Sequence, residues 1–174
     1  MKKYELTSET KVINGVKLHR IKAIESFGNI KKGELGGWIE SEINLSQNGD
    51  AWVGGNALVS GNALISGNAL VDGDAMVSED AWVGGNSNVY GYATIIGNAK
   101  VRGTADYIVF KNWWSSGRYF TWTRSNNKWK VGCFYGSGEE LITKAYKDSE
   151  KSGREYERVV KYVESIMEEE NNNK

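Results

Sequence analysis

The chain has 174 residues and a mass of 19.4 kDa, which suits one domain with a small appendage. Its 22 Lys and Arg residues balance 22 Asp and Glu residues, and this zero net charge argues against a protein that binds long nucleic acid. One Cys and one His exclude an intramolecular disulfide and any metal site built from several such side chains. No apolar run reaches the roughly 20 residues of a membrane span and no signal peptide opens the chain, so we expect a cytoplasmic protein without a membrane partner.

Residues 1–44 are predicted to form an N-terminal β cap and an entry coil. Asn14-Gly15 separates two strand-like runs, and Asn-Gly is a strong signal for a β-hairpin. Ile39 and Leu45 fit the six-residue spacing of the following repeat when it is extended towards the N-terminus. Gln47, however, occupies a position that belongs to the core in that spacing. The pattern therefore leaves open whether a complete coil precedes residue 51.

Residues 45–106 are predicted to form a coil of short stacked strands. From Ala51 to Thr104 nine hexads follow one another without a gap, with Val or Ile third in all nine and Ala first in eight. These two positions share one face of a strand, so they point inward while the second residue points outward. The glycine that is fifth in eight hexads suits a corner, because it tolerates left-handed backbone angles.

Residues 107–170 are predicted to form a small α+β module with a β-hairpin and two helices, and 171–174 a disordered tail. Alternating residues around a turn at 125–127 predict the hairpin. Ser137 and Ser152 each precede a Glu by three residues, a capping-box pattern that predicts two helix starts.

The repeat resembles the hexapeptide-repeat proteins, whose fold is a left-handed parallel β-helix with three hexads in each triangular coil. The predicted fold class is therefore mainly β: such a β-helix with an N-terminal hairpin cap and a C-terminal α+β module. The chain as a whole resembles bacteriophage and prophage proteins of this type, through its opening residues 1–6, the segment 33–39 and the segment 132–136. This resemblance implies a phage origin, and hence the host cytoplasm, more than it implies an activity.

The best-known proteins of this type are acyltransferases, in which a His near the coil acts as a general base. His19 is the only histidine, and it lies in the predicted N-terminal hairpin rather than in the coil. We therefore expect no catalytic residue, no cofactor and no metal site. Cys133 lies in an apolar stretch and is expected to be a buried, unreactive thiol.

The outward residues of the first six hexads are apolar and are distributed over all three faces of the coil. A soluble monomer rarely exposes so much contiguous apolar surface, so we expect a homo-oligomer, with a trimer favoured. Packing within one chain is the alternative. The predicted interface residues are Trp52, Leu58, Leu64, Leu70, Met76 and Trp82.

The segment 107–135 holds ten of the chain's 20 aromatic residues, five cations and no acid. Aromatic rings stack on bases and Arg or Lys neutralises phosphate, which predicts a site for a small anionic, nucleotide-like ligand. The alternative is that these rings form the core of the module. The predicted ligand-binding residues are Trp113, Trp114, Arg118, Tyr119, Trp122, Arg124 and Lys130.

These features favour a non-catalytic, oligomeric binding protein of phage type. It would sequester a nucleotide-like ligand, or bind a host defence protein, and so counter antiviral defence. Two other hypotheses stay open. One is an acyltransferase-like enzyme with His19 as its base, and the other is a structural or assembly scaffold with the coil as a rigid spacer.

Overall fold

A computed structural model describes residues 2–173 and shows a mainly β protein. A β-solenoid of about four turns lies between an antiparallel hairpin sheet and an α+β region with two helices. The predicted fold class is therefore confirmed, while the left-handed sense of the coil stays a prediction. Within residues 2–173, no helix combines the length and the apolar character that crossing a bilayer requires.

The N-terminal hairpin consists of β1 (Tyr4–Ile13) and β2 (Val16–Ala23), joined by the predicted Asn-Gly turn. β2 pairs antiparallel with β3 (Leu35–Ile39), and β3 pairs in parallel with a strand of the solenoid. The hairpin and one solenoid face therefore form a single six-stranded sheet.

The solenoid strands have two residues each and form three parallel ladders, one for each face. Leu58 lies opposite Met76 and Met76 opposite Thr94, so three hexads make one turn. The inward Ala and Val or Ile side chains are fully buried and form one continuous core. The strands are β4 (Trp52–Val53), β5 (Leu58–Val59), β6 (Leu64–Ile65), β7 (Leu70–Val71), β8 (Met76–Val77), β9 (Trp82–Val83), β10 (Asn88–Val89), β11 (Thr94–Ile95) and β12 (Lys100–Val101).

An entry coil precedes residue 51. Leu45 pairs in parallel with Ile65 beside the 3-10 turn Glu42–Asn44, and both Ile39 and Leu45 are buried. Gln47 lies outside the core cluster, and its Oε1 accepts a hydrogen bond of 2.9 Å from the Lys3 backbone N–H.

At the end of the solenoid nearest the N-terminus, backbone carbonyl groups are left open, and side-chain donors cover them. Along the ladder each N–H donates to the next turn, as Trp52 does to Ala69, so the first turn presents carbonyls without a backbone partner. Three side chains donate to these carbonyls. They are Lys3 (to Gly49 and Ala51), Tyr4 (to Leu45) and Asn44 (to Gly61 and Ala63).

At the other end of the solenoid, next to the C-terminal module, backbone N–H groups are left open, and side-chain acceptors cover them. Thr121 Oγ1 accepts from the Thr94 N–H at 2.9 Å, and Ser125 Oγ accepts from the Lys100 N–H at 2.6 Å. The two ends of the coil are thus completed by groups of opposite hydrogen-bonding character.

The C-terminal module is a four-stranded antiparallel sheet with two helices on one of its faces. Alternate residues of its first strand pack in opposite directions: Tyr107 and Val109 against the solenoid core, Ile108 and Phe110 against the helix side. A 3-10 turn, Thr104–Asp106, precedes the sheet. The elements are β13 (Tyr107–Lys111), β14 (Tyr119–Thr123), β15 (Lys128–Val131), β16 (Phe134–Gly136), α1 (Gly138–Asp148) and α2 (Glu150–Asn172).

The first predicted helix start is confirmed and the second is wrong. Ser137 and Glu140 form the capping box of α1. For α2 the N-cap is Ser149, whose Oγ accepts from the Ser152 N–H at 3.1 Å, so Ser152 lies in the first turn rather than at the cap. The predicted tail at 171–174 is helical as far as Asn172, and Lys174 lies outside the described residues.

Candidate functional site

The C-terminal module contains a polar cleft of about 610 Å³. The loop 112–118 forms one wall, the turn between β15 and β16 forms the floor, and α1 and the start of α2 form the other wall. We call this the anion cleft, for the charges described below.

Asn112 holds the loop wall in place. It is buried, its Oδ1 accepts from the Ser115 N–H and hydroxyl at 2.9 and 3.0 Å, and its Nδ2 donates to Tyr156 Oη at 2.9 Å. Backbone bonds to the Arg118 carbonyl and from the Gly117 N–H close the loop. The hydroxyls of Ser115 and Ser116 are therefore presented to the cleft by a fixed backbone.

Tyr156 lines the cleft from α2 and stays a neutral phenol. Burial raises its pKa, while the hydrogen bond from Asn112 lowers it by a smaller amount. Because Oη already accepts from Asn112, its own proton is available to donate to a ligand.

Arg118 and Lys144 give the anion cleft its positive charge. Both side chains are exposed, and neither forms an ion pair within residues 2–173. The Arg118 guanidinium lies against Gly132, with Nη1 3.6 Å from the place where a side chain on Gly132 would begin. Asp148 is the one carboxylate among the described lining residues, so two cations face a single acid.

Phe134 supplies an aromatic ring to the lining beside Tyr156, whereas the Tyr135 ring packs on Gly97 of the solenoid, on the other side of the sheet. Burial is the main reason why the pKa of Tyr135 is raised, with nearby Glu79 adding to it. Cys133 lies between Gly132 and these two rings, and it is exposed. The expectation of a buried thiol is therefore wrong, because the left-handed Gly132 (φ 55°) places Cys133 in a turn rather than in a strand.

Of the seven predicted ligand-binding residues, Arg118 alone lines this cleft. Trp114 and Trp122 belong to the module core, which is a correction to the predicted site. The Trp114 ring lies 4.9 Å from the Tyr156 ring, and the Trp122 indole N–H donates to Asn127 at 2.8 Å.

The other four predicted residues lie at separate places on the surface. Trp113 is 72% exposed, and Tyr119 stacks on Tyr92 with ring centroids 4.5 Å apart. Arg124 forms an ion pair with Glu170, and this hydrogen bond is the main reason why its pKa is raised. Lys130 donates to the Gly132 carbonyl at 2.6 Å. These residues do not form one site, because neighbours along a strand face opposite sides of the sheet.

Among the cleft residues that the sequence reasoning missed are Asn112, Lys144, Ser152 and Tyr156. Asn112 directly precedes the two predicted tryptophans, so its position in a tight loop was a usable signal. Lys144 and Tyr156 are helical residues in a charged sequence, and they reach the cleft only because α1 and α2 dock on the sheet.

The predicted interface residue Trp52 is covered within its own chain. It is 2% exposed, and the Phe27 ring lies edge-on to its indole with centroids 5.6 Å apart. This is a correction, since a side chain buried in the monomer offers no surface to a partner.

The remaining outward residues are half-buried. Ile13 and Val16 at the tip of the hairpin lie beside Leu58 and Met76, and Leu70 packs partly against the solenoid core. On the third face Trp82 lies flat over Gly84 and donates to Ser66 Oγ at 2.9 Å, while Arg102 lies over its ring. A subunit interface stays a prediction for these residues, and Leu64 and Trp82 share one face of it.

His19 lies in β2 opposite Thr10 and Ile39, far along the chain from the anion cleft. Within residues 2–173, no three His, Cys, Asp or Glu side chains are close enough together to hold a metal ion.

No family model matches this sequence, and no curated protein matches it either.

Proposed function

We propose that this chain is a non-catalytic binding protein that holds a small anionic, nucleotide-like ligand in the anion cleft. The observation that carries the proposal is the pair of cations, Arg118 and Lys144, which line one polar cleft without ion-pair partners among the described residues. Ion pairs occupy other cations of the chain, such as Arg124 and Arg158, so these two charges remain available to a ligand.

The cleft contains donors suited to phosphate oxygens. Arg118 offers a planar guanidinium fork, Lys144 a mobile ammonium, and Ser116 and Tyr156 hydroxyl protons. Phe134 offers ring surface on which a base can stack. A cleft of about 610 Å³ is in the range typical of small-molecule sites.

We further propose that the protein is of phage type and sequesters its ligand. The resemblance of its repeat and flanking segments to phage hexapeptide-repeat proteins supports the origin. Sequestration needs affinity without turnover, and the described lining of the cleft offers hydrogen-bond donors and one carboxylate but no His to act as a general base.

The test is calorimetric titration of the purified protein with ADP and pyrophosphate, preceded by native mass spectrometry to detect a ligand retained from the cell. Arg118→Gln and Lys144→Gln each remove one charge-assisted contact, worth about 1.5–3 kcal/mol, and should weaken binding by about tenfold or more. Lys147→Gln is the matched control, because Lys147 lies one turn along the same helix outside the cleft.

Binding that is weakened by both cleft variants and not by the control supports the proposal. Failure of both probes to bind at about 1 mM, or equal affinity in all variants, would refute it.

A further inference from the structure

We infer a second binding site, for a small organic cation that also carries a hydrogen-bond acceptor. It is a cavity of about 270 Å³ between the C-terminal sheet and the second half of α2. Its floor is the pair Trp122 and Trp129, and Val160 and Met167 close its apolar wall. This inference is independent of the anion cleft, because the two cavities share no lining residue.

An unpaired indole N–H points into this cavity. Trp129 is 1% exposed, yet its Nε1 donates to no acceptor in the described chain, whereas the Trp122 N–H donates to Asn127. Trp129 Nε1 lies 3.4 Å from the position of a Cβ on Gly138, which itself lines the cavity. A ligand oxygen seated in this cavity would accept a hydrogen bond from the Trp129 N–H.

Two carboxylates stand at the rim. Glu164 and Glu168 are one helical turn apart and exposed, and neither forms an ion pair among residues 2–173. Like charges at this spacing repel by a few tenths of a kcal/mol, and a cation between them removes that cost. By contrast, Glu155 and Glu157, nearer the start of the same helix, each have a basic partner.

The lining therefore combines indole rings, two acids and an unpaired donor, and it contains no Lys, Arg or His. Indole rings attract cations through their electron-rich faces, and an apolar wall favours an alkylated ammonium over a bare metal ion. A neutral apolar molecule would gain no attraction from the two carboxylates, and an anion would be repelled by them. The ligand class that fits all three features is an alkyl ammonium compound with a carbonyl or hydroxyl oxygen.

The test uses two probes that differ only in charge: acetylcholine and its neutral carbon analogue 3,3-dimethylbutyl acetate. Both are titrated into the full chain, and the indole N–H signals in NMR spectra are followed. We expect acetylcholine to shift the Trp129 signal and to bind about tenfold more tightly than the neutral analogue.

Variants locate the charge effect. Glu164→Gln and Glu168→Gln should each weaken acetylcholine binding severalfold, with Glu169→Gln as the matched control on the same helix and outside the cavity. Arg118→Gln in the anion cleft should leave acetylcholine binding unchanged, which separates this inference from the proposed function. Equal affinity for the two probes, no shift at about 10 mM, or indifference to both glutamate variants would overturn the inference.

Discussion

Replacing Lys3 by Met tests whether side-chain donors stabilise the open end of the solenoid. Lys3 is 2% exposed, and its Nζ donates to the carbonyls of Gly49 and Ala51 at 2.8 Å each. Its Nζ also lies 4.8 Å from the centre of the Phe27 ring, and no carboxylate among residues 2–173 is within ion-pair distance of it. Met keeps the length of the apolar stem and removes only the donor.

The expected loss follows from two opposing contributions. Burial lowers the pKa of Lys3 from 10.5 to about 8, partly offset by Asp50, so holding the charge costs up to about 3 kcal/mol. Two hydrogen bonds from a charged donor contribute about 1.5–3 kcal/mol each, and their loss leaves two carbonyls unpaired. We expect Lys3→Met to lower the free energy of unfolding by about 1–3 kcal/mol near neutral pH.

The pH dependence separates this donor from simple packing. The pKa of Lys3 is lower in the folded state, so the unfolded chain binds more protons between about pH 8 and 10.5, and stability rises with pH in that window. Tyr4 and Tyr156, whose pKa values burial raises, act in the opposite direction above about pH 10. The measurement is therefore best made below about pH 9.5.

Urea unfolding followed by circular dichroism at about pH 7.5 and 9.5 gives the result. Wild type should gain about 1–2 kcal/mol from Lys3 across this interval, and Lys3→Met should lack that gain. An equal pH slope in the two proteins, or a variant as stable as wild type at both pH values, would show that Lys3 does not cap the ladder as a buried cation.

Two further predictions concern the corners and the outer face of the solenoid. Gly67→Ala should lower the unfolding free energy by about 1–3 kcal/mol, because φ is 67° and its Cβ would lie 2.9 Å from the Gly85 carbonyl oxygen. Gly91→Ala, with φ 66° and no atom within 4 Å, should lower it less in the same urea unfolding assay, and equal losses would rule out the steric contribution. If the face with Leu64 and Trp82 joins subunits, sedimentation velocity should show a trimer for wild type and a smaller species for Trp82→Ser; a monomeric wild type would contradict the predicted interface.

The solenoid was predictable because each hexad encodes both a strand and a corner. One hexad lacks glycine at the fifth position and still forms the same corner. Glu79 adopts the left-handed conformation there (φ 63°), and its carboxylate accepts from the Gly97 N–H of the next turn at 2.9 Å. The contact offsets part of the strain, so the corner forms despite the side chain.

The start of α2 was not predictable from the capping pattern alone, since Ser149 and Ser152 are both acceptable N-caps. Packing decides between them. Gly153 lies against the Tyr146 ring of α1, in the first turn of α2, and any larger side chain would collide with that ring. This close contact accompanies a helix that begins at Glu150, with Ser149 as its cap.

Only the part of the anion cleft that comes from one continuous stretch of sequence was predictable. Ser115, Ser116 and Arg118 lie in one short loop, and the cation beside two hydroxyls could be recognised there. Lys144 and Tyr156 lie on the two helices. The side of the sheet on which these helices pack depends on which of its faces already covers the solenoid.

That choice of face also explains why the aromatic residues were misassigned. Thr121 must point to the solenoid to accept from the Thr94 N–H, so Phe120 and Trp122 point to the helices and become core. The hydrogen-bonding requirement at the end of the coil thus determines which aromatic residues are buried and leaves the loop before β14, with Arg118, to line the anion cleft.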